Sequence, residues 1–319
     1  MMNIPGVEDV AALLREGDDF LITSHINTDG DSVASCLALL AMLRAQGKRG
    51  TVVLQDPPPA NFDFLKGVGE IVMAGDIPAR SAQFAAVLDC PDLERTGTAS
   101  NHFASDVRLV NVDHHKGNTN FGTANLVADQ VSSTSELLYH LIQHARLDVD
   151  QDLAELLYTG ILYDTGGFRY SLTTATTLDV AADLVRHGAR LDVIADRVFT
   201  SSSLEQVKMM GKAVESLVLV EDDRIAVLHL SEREMITANA DEAVNYGLMI
   251  RGVEVTLLLK EDSHEHYRVS LRSRARVDVN KVAAAFGGGG HNRASGCRME
   301  GVREHVVQDL VREVVKQLD

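Results

Sequence analysis

The first two-thirds of the chain alternate short apolar runs with longer segments that carry apolar residues on one side. The apolar runs predict buried strands at residues 20–23, 51–54, 85–88 and 107–112. The amphipathic segments predict helices at residues 32–46, 133–144, 153–163 and 176–187. This alternation predicts an α/β domain, with a parallel sheet covered by helices on both faces. Such sheets bind ligands at the carboxyl ends of their strands.

The pattern changes near residue 200. Apolar runs at 216–220 and 225–230 flank a charged turn and predict a hairpin, and runs at 255–259 and 267–271 predict another. The chain has 319 residues, which is long for a single core, so we expect two domains. We place the first domain at 1–195, a helical linker at 196–215 and a smaller α+β domain with a mixed sheet at 216–319.

Composition and charge exclude several classes of protein. No apolar run approaches the roughly 20 residues that span a bilayer, so we expect no membrane association. The net charge of −16 repels long duplex nucleic acid, whose binding depends on phosphate neutralisation. Three cysteines and a first segment without a basic, then apolar, signal pattern predict a cytoplasmic protein. Residues 268–298 reverse the acidic trend, with seven basic residues and one acid, and favour a small anionic ligand.

Asp113, His114 and His115 follow the apolar run at 107–112 directly. Burying three polar groups costs several kcal/mol unless each has a partner, and divalent metal ions accept both carboxylate and imidazole. Because a strand sends neighbouring side chains to opposite sides, we expect His114 to be a metal ligand and His115 a substrate contact or proton donor. Asp113 fits the role of holding an imidazole tautomer.

Acidic side chains recur at other strand and helix ends. Asp29 lies four residues after His25, and Gly30 separates it from Asp31; a tight turn at Gly30 would direct both carboxylates into one cavity. The alternative is a helix cap at Asp31 or Ser32. Two further carboxylates follow apolar segments, and the alternatives there are a turn before proline and a glycine helix end. These are Asp89 and Asp164.

The run Gly287 to Gly290 precedes His291 and Arg293. Successive glycines let backbone N–H groups approach an anion, and we expect a following helix to add its positive end. No Gly-Lys-Ser/Thr follows, so this is not a Walker loop, and a dinucleotide fingerprint would follow the first strand instead.

Together these motifs resemble, in order, the DHH phosphoesterase superfamily, in the branch whose C-terminal DHH-associated domain carries a Gly-Gly-Gly-His motif. The match runs from about residue 20 to residue 296. The length is similar to that of stand-alone members, which remove short oligoribonucleotides and 3′-phosphoadenosine 5′-phosphate (pAp). RecJ exonucleases carry extra sequence that 319 residues would barely hold.

The resemblance implies a site for two Mn²⁺ ions in the first domain, with Mg²⁺ or Co²⁺ as substitutes. The implied ligands are His25 and Asp29 for one ion, Asp31, His114 and Asp164 for the other, and Asp89 as the bridge. Four carboxylates and two imidazoles favour manganese over zinc, which usually takes four ligands. His115, facing the scissile phosphate, and Asp113 are the implied catalytic pair. The implied substrate-binding residues are Arg169, Arg272, Gly288, Gly289, Gly290, His291 and Arg293.

The resemblance implies hydrolysis of short oligoribonucleotides to mononucleotides and of pAp to AMP, by a hydroxide that bridges the metals and attacks phosphorus in line. It implies small nucleotides and short RNA as partners and is compatible with a homodimer. One alternative is a phosphodiesterase for cyclic di-AMP, pApA or pGpG. An inorganic pyrophosphatase would share the first domain but not the glycine-histidine loop. A nucleotide sensor with an inactive metal site is the alternative that is not an enzyme.

Overall fold

The computed structural model describes residues 4–78, 81–235 and 241–318. Its contacts divide the chain into two units, Met1–Ser201 and Ser202–Asp319, and the division falls inside the segment predicted as a linker. Within the described residues, no helix combines the length and the apolar character needed to cross a membrane.

The first unit contains a six-stranded sheet in which every pairing is parallel, as the sequence predicts. Its strands run in the spatial order β3-β2-β1-β4-β5-β6. They are β1 (Phe20–Thr23), β2 (Gly50–Leu54), β3 (Val72–Met73), β4 (Ala82–Leu88), β5 (Phe103–Asp113) and β6 (Ala124–Val127). The central strands are continuous apolar runs because both of their faces are covered.

Helices cover this sheet. They are α1 (Val7–Glu16), α2 (Gly30–Ala45), α3 (Thr134–Ala145), α4 (Gln151–Asp164), α5 (Ala175–Arg186) and α6 (Leu191–Phe199). Phe20 and Ile22 of β1 point into the large core that contains α2, α3 and α4. Leu21 points to the opposite face, which packs against Ala99 of the 3-10 helical stretch Glu94–His102. Successive side chains of β1 therefore pack into apolar layers on the two opposite faces of the sheet.

The second unit is built on a six-stranded mixed sheet, in the order β11-β12-β10-β9-β8-β7. Its strands are β7 (Val218–Val220), β8 (Ile225–Leu230), β9 (Val255–Ser263), β10 (His266–Ser273), β11 (Gly289–His291) and β12 (Ala294–Glu300). Among the described strands of this sheet, β8 and β9 pair in parallel and the other pairs are antiparallel, and both predicted hairpins are present. The helices are α7 (Leu204–Glu215), α8 (Val244–Leu248), α9 (Val279–Ala284) and α10 (Arg303–Val315).

The segment after the glycine run differs from the expectation. A strand follows, not a helix: β11 begins at Gly289 and forms a hairpin with β12. Helix α9 ends before the run, where the Gly288 N–H donates to the Ala283 carbonyl. A Cβ at Gly288 would lie 2.2 Å from the Gly296 carbonyl oxygen. Close strand approach therefore explains this glycine, and no helix dipole lies behind it.

Candidate active site

The carboxyl ends of three neighbouring strands, β1, β4 and β5, meet at one edge of the parallel sheet. His25 follows β1, Asp89 follows β4, and His114 and His115 follow β5. The chain leaves β1 for β2 on one side and returns to β4 on the other, so this edge is the switch point at which parallel sheets bind ligands.

His25, Asp29 and Asp89 form the first group. The His25 ring directs Nδ1 to the Ile26 carbonyl at 2.7 Å, so Nδ1 carries the proton. Its Nε2 atom therefore points at the carboxylates, 3.4 Å from Asp89 Oδ2 and 3.8 Å from Asp29 Oδ2. The ligand atoms of these residues all lie within 4.8 Å of one another, so they could hold a metal ion.

Asp31, His114 and Asp164 form the second group, with ligand atoms within the same distance of one another. His114 directs Nδ1 toward the Val131 carbonyl at 3.4 Å and Nε2 toward Asp164 Oδ2 at 3.0 Å. Both histidines thus bond backbone carbonyls through Nδ1, which is the tautomer that leaves Nε2 able to bind a metal. Asp164 is the last residue of α4, which ends at the predicted glycine pair.

Asp89 lies between the two groups. Its Oδ2 atom faces His25, and its Oδ1 atom is 3.6 Å from His114 Nε2. Its backbone has φ 52°, a left-handed conformation that aspartate tolerates better than most residues. Strain of this kind concentrates at functional sites. We call His25, Asp29, Asp31, Asp89, His114 and Asp164 the strand-end cluster.

The electrostatics of the strand-end cluster fit a bound cation. Burial and the neighbouring charges of Asp164 and Asp89 raise the pKa of Asp31. Burial also raises the pKa of Asp164, to about 6, against the hydrogen bond from His114. Burial opposes protonation of His25, yet the hydrogen bond to Asp89 and the Asp29 charge raise its pKa to about 9. Carboxylates this crowded are stable as anions when metal ions compensate their charge.

Helix α2 corrects two details of the expectation. Its cap is Asp29, which accepts from the Ser32 N–H, and not Asp31 or Ser32. Gly30 is the first helical residue and makes no left-handed turn. A Cβ there would lie 2.5 Å from the Tyr163 ring, so glycine is needed for close packing against α4.

His115 has a different environment from the other histidines. Strand β5 ends at Asp113, so His114 and His115 are not held on opposite sides by a strand. His115 Nδ1 lies 2.7 Å from Asp113 Oδ1, and Asp113 is completely buried. The other oxygen of Asp113 accepts from Asn118 Nδ2 at 2.6 Å, and the same amide group contacts Asn111. The Asp113 carboxylate therefore fixes the orientation of the His115 ring.

Three residues beside the site were missed by sequence reasoning. Asn118 lies in an ordinary polar loop, and Thr134 and Ser135 look like helix-capping residues. In the structure, Thr134 and Ser135 donate hydrogen bonds to Asp31 and Asp89. A run of hydroxyl residues, longer than one cap requires, was the available signal.

In the second unit, Arg272 and His291 both pair in register with Ala294, from the strands on its two sides. Directly paired residues share one face of a sheet, so the two side chains flank a small residue, about 10 Å apart. Arg272 and His291 are half-buried, and we call this arrangement the basic sheet face. Arg293 instead donates to the Val277 carbonyl at 2.8 Å.

The remaining predicted substrate groups lie on turns. Gly290 has φ 145° and a built Cβ would lie 2.6 Å from the Ala294 carbonyl, so the hairpin requires glycine there. Gly289 is exposed beside it. In the first unit, Arg169 is exposed, and its Nε donates to the Gly166 carbonyl at 2.6 Å. Gly166 lies two residues after Asp164.

Comparison with known protein families agrees with this architecture. Residues 19–161 match the model of the DHH family, N-terminal domain, and residues 222–319 match the DHHA1 domain. The chain belongs to the DHH phosphoesterase family, as the resemblance implies. It is a hydrolase that acts on phosphate esters.

Relatives are similar along nearly the whole chain. The bifunctional oligoribonuclease and PAP phosphatase NrnA of Thermus thermophilus is 29% identical over 311 residues, 97% of this chain and 93% of that protein. The cyclic-di-AMP phosphodiesterase GdpP of Bacillus subtilis is 26% identical over 91% of this chain but 46% of its own length. A crystal structure of an exopolyphosphatase-related protein from Bacteroides fragilis is 27% identical, with a TM-score of 0.90, and covers 98% of this chain and 96% of that one.

Proposed function

We propose that this protein is a manganese-dependent phosphoesterase that hydrolyses short oligoribonucleotides to mononucleotides and pAp to AMP. The observation that carries the proposal is the position of Asp89, which faces a histidine-carboxylate group through each of its two oxygens. The Thermus relative named for both activities is similar over both domains, which supports the substrate class.

The residues fit a pair of Mn²⁺ ions. His25 and Asp29 would hold one ion, Asp31, His114 and Asp164 the other, and Asp89 both. Within the described residues, every ion pair of Asp29, Asp89 and Asp164 is with histidine, so no lysine or arginine competes for these carboxylates. Bound ions of this kind polarise phosphoryl oxygens and lower the pKa of water. Mg²⁺ or Co²⁺ would substitute because the ligands are hard oxygen and imidazole donors.

His115 and Asp113 would handle the proton of the leaving group. The hydrogen bond from Nδ1 to Asp113 places Nε2 on the opposite side of the ring. A ring with two protons would give one from Nε2 to the leaving oxygen, and the Asp113 carboxylate would compensate its charge. Asn118 donates a hydrogen bond that keeps the Asp113 carboxylate in place. Because its amide group is neutral and does not titrate, it does not exchange protons with Asp113.

We propose that the second unit binds the part of the substrate remote from the reacting phosphate. Arg272 and His291 supply donors for phosphate oxygens on the basic sheet face, and Gly289 and Gly290 would let a phosphate approach the backbone closely. Gly288 would only leave room beside it, because its N–H already donates to the Ala283 carbonyl. Arg169 and Arg293 already bond backbone carbonyls through one nitrogen each, so they would contribute their remaining donors. Two binding groups about 10 Å apart suit a mono- or dinucleotide better than a duplex. We propose a cytoplasmic location, and the homodimer stays a prediction.

A second candidate activity is hydrolysis of cyclic di-AMP or its linear product pApA, or of pGpG. The similarity to GdpP along 91% of this chain favours it, because the same cluster would serve either substrate. A nucleotide sensor without turnover is the remaining alternative, and all six ligands of the strand-end cluster are present, which argues against it.

The test is product release with Mn²⁺ from pAp, pApA, pGpG and cyclic di-AMP, measured in parallel. Turnover of pAp and pApA that disappears in Asp89→Asn supports the proposal, and selective turnover of cyclic di-AMP replaces it with the second candidate. Replacing Asp113, His114 and His115 by alanine separates the sensor, which would keep nucleotide binding and have no activity to lose. No turnover with tight nucleotide binding would reject both enzyme proposals.

A further inference from the structure

The first two residues of α3, Thr134 and Ser135, contact two carboxylates of the strand-end cluster. Asp31 Oδ1 accepts from the Ser135 N–H at 3.1 Å and from Ser135 Oγ at 2.5 Å. Asp31 Oδ2 accepts from the Thr134 N–H at 2.7 Å. The Thr134 hydroxyl donates to Asp89 Oδ1 at 3.2 Å. All four residues are buried, so these contacts are not exchanged for water.

These bonds occupy the two carboxylates unequally. A carboxylate offers about four lone-pair sites, two on each oxygen. Asp31 uses three of them for Thr134 and Ser135, which leaves a single site, on Oδ2. Asp89 gives one site on Oδ1 to Thr134 and keeps sites on both oxygens. Asp31 can therefore bind one ion through one oxygen, whereas Asp89 can bind an ion through each.

We infer that Thr134 and Ser135 are positioning residues that decide which carboxylate bridges the two metal ions. They restrict Asp31 to one ion and hold Asp89 in the orientation that serves both. This inference rests on the two-ion site of the proposed function. It adds that the division of roles comes from the start of α3 and not from the carboxylates themselves.

The space around Asp31 supports this role. Gly160 of α4 lies opposite, and a Cβ there would be 2.0 Å from Ser135 Oγ and 2.3 Å from Asp31 Oδ1. Glycine in a helix interior costs roughly 1 kcal/mol relative to alanine, so the chain accepts a weaker helix at this point. The space left by the missing side chain at position 160 is occupied by the hydrogen-bonded side chains of Ser135 and Asp31.

The test measures Mn²⁺ binding in two ways. Calorimetry gives the affinity for each ion, and electron paramagnetic resonance gives the signal of a coupled ion pair. Ser135→Ala removes one bond to Asp31, and Thr134→Val removes the hydroxyl that holds Asp89. We expect each to weaken binding of one ion by about 10- to 100-fold and to diminish the coupled signal. Thr134→Ser keeps the hydroxyl and should restore both. Wild-type affinities and an unchanged signal in Ser135→Ala and Thr134→Val would overturn the inference.

Ser133→Ala is the matched control, because the Ser133 hydroxyl caps α3 through the Glu136 N–H and, among the residues that the structure describes, forms no hydrogen bond with Asp31 or Asp89. It should lower the midpoint of thermal unfolding and leave both Mn²⁺ affinities within about twofold. Equal loss of Mn²⁺ binding in this control would show a purely structural role and reject the inference.

If Ser135→Ala does not fold, the comparison of Thr134→Val with Thr134→Ser still tests the inference. A wild-type protein that binds two coupled ions but hydrolyses no phosphoester would reject the proposed function and leave this inference intact.

Discussion

The strand-end cluster and the basic sheet face present their functional groups in different ways. In the cluster, the side chains of Asp89 and His114 are 2% and 1% exposed, and each is fixed by neighbours. On the sheet face, Arg272 and His291 are half-buried on the surface of a sheet, beside glycines and one alanine. The first region holds a rigid charge distribution, and the second offers accessible donors.

The comparison teaches where each kind of chemistry can be built. Metal ligands must be deprotonated, crowded together and held against mutual repulsion, which requires a buried and over-determined setting. Groups that bind a substrate must be reached from solvent and exchange water for phosphate. Substitutions in the cluster should therefore change kcat and metal content, and substitutions on the sheet face should change KM.

The largest effect is expected for Asp89→Asn. The amide keeps the shape but removes the charge between His25 and His114, so we expect a loss of kcat of about 1,000-fold or more, measured on pApA with saturating Mn²⁺. Asp92→Asn is the control, because that carboxylate accepts from the nearby Arg95 N–H and lies in no metal-ligand group of the described residues. Near-normal turnover in Asp89→Asn would contradict the bridging role.

A smaller effect, about 100-fold in kcat, is expected for Asp113→Asn. This change removes the charge that orients and compensates His115, while all six residues of the strand-end cluster stay in place. Asp113 is not one of those six, although one of its oxygens lies within 4.8 Å of the ligand atoms of Asp89 and His115. The measurement is kcat on pApA together with Mn²⁺ content, which should stay at the wild-type value. Loss of metal in parallel with activity would move Asp113 from proton chemistry to support of the metal site.

On the basic sheet face, Arg272→Ala should raise KM for pApA by roughly tenfold, with a much smaller change in kcat. The control is Arg312→Ala on α10, whose guanidinium pairs with Asp309 three residues earlier and is 67% exposed. Steady-state kinetics of the two variants decide the point. A fall in kcat with unchanged KM for Arg272→Ala would mean that this group acts on the reacting phosphate.

The pH dependence of metal binding should reflect the strand-end cluster. In the metal-free protein, His25 has a pKa of about 9 and Asp164 a pKa of about 6. Mn²⁺ therefore displaces protons from both groups below about pH 6, and from His25 alone between pH 6 and 9. Affinity should rise by about tenfold per pH unit for each displaced proton between pH 6 and 9, and level off above. Calorimetry in buffers of different ionisation enthalpy measures the proton release. An affinity that does not change with pH would contradict the assignment of His25.

Two glycines, one in each unit, should change stability and not the chemical step, and they give the sharpest contrast between the units. Gly211→Ala in α7 meets no atom within 4 Å and should stabilise the protein by up to about 1 kcal/mol. Gly160→Ala in α4 should instead destabilise it by a few kcal/mol, because the new Cβ collides with Ser135 and Asp31. Denaturant unfolding of both variants is the measurement, and a stabilised Gly160→Ala would show that the pocket has spare room.

Much of the first unit could be predicted from the sequence. Its strands are unbroken apolar runs, and polar residues stand directly at their ends, so both the sheet and the clustering of His25, Asp89 and His114 follow from strand order. The family fold is confirmed by the comparisons. The ligand assignments agree with the observed geometry and stay predictions until metal is measured.

The failures have a common physical origin. A hydroxyl at the start of a helix usually caps that helix, so the hydroxyl run that includes Thr134 and Ser135 did not indicate a contact with Asp31, more than 100 residues away. The glycine run was taken to precede a helix because local sequence does not report that Gly288 and Gly296 lie on pairing chains. Gly30 was assigned to a turn, although the residue is glycine because a side chain there would collide with the Tyr163 ring. Contacts distant in sequence decided all three.

The most direct test of the central claim is the initial rate of AMP release from pApA as metal-free protein receives increasing equivalents of Mn²⁺. The account predicts that the rate rises until two ions are bound per chain and then stays constant, and that Asp89→Asn shows no such rise. A rate that is complete at one ion per chain, or that needs no added metal, would contradict a site in which Asp89 joins two ions.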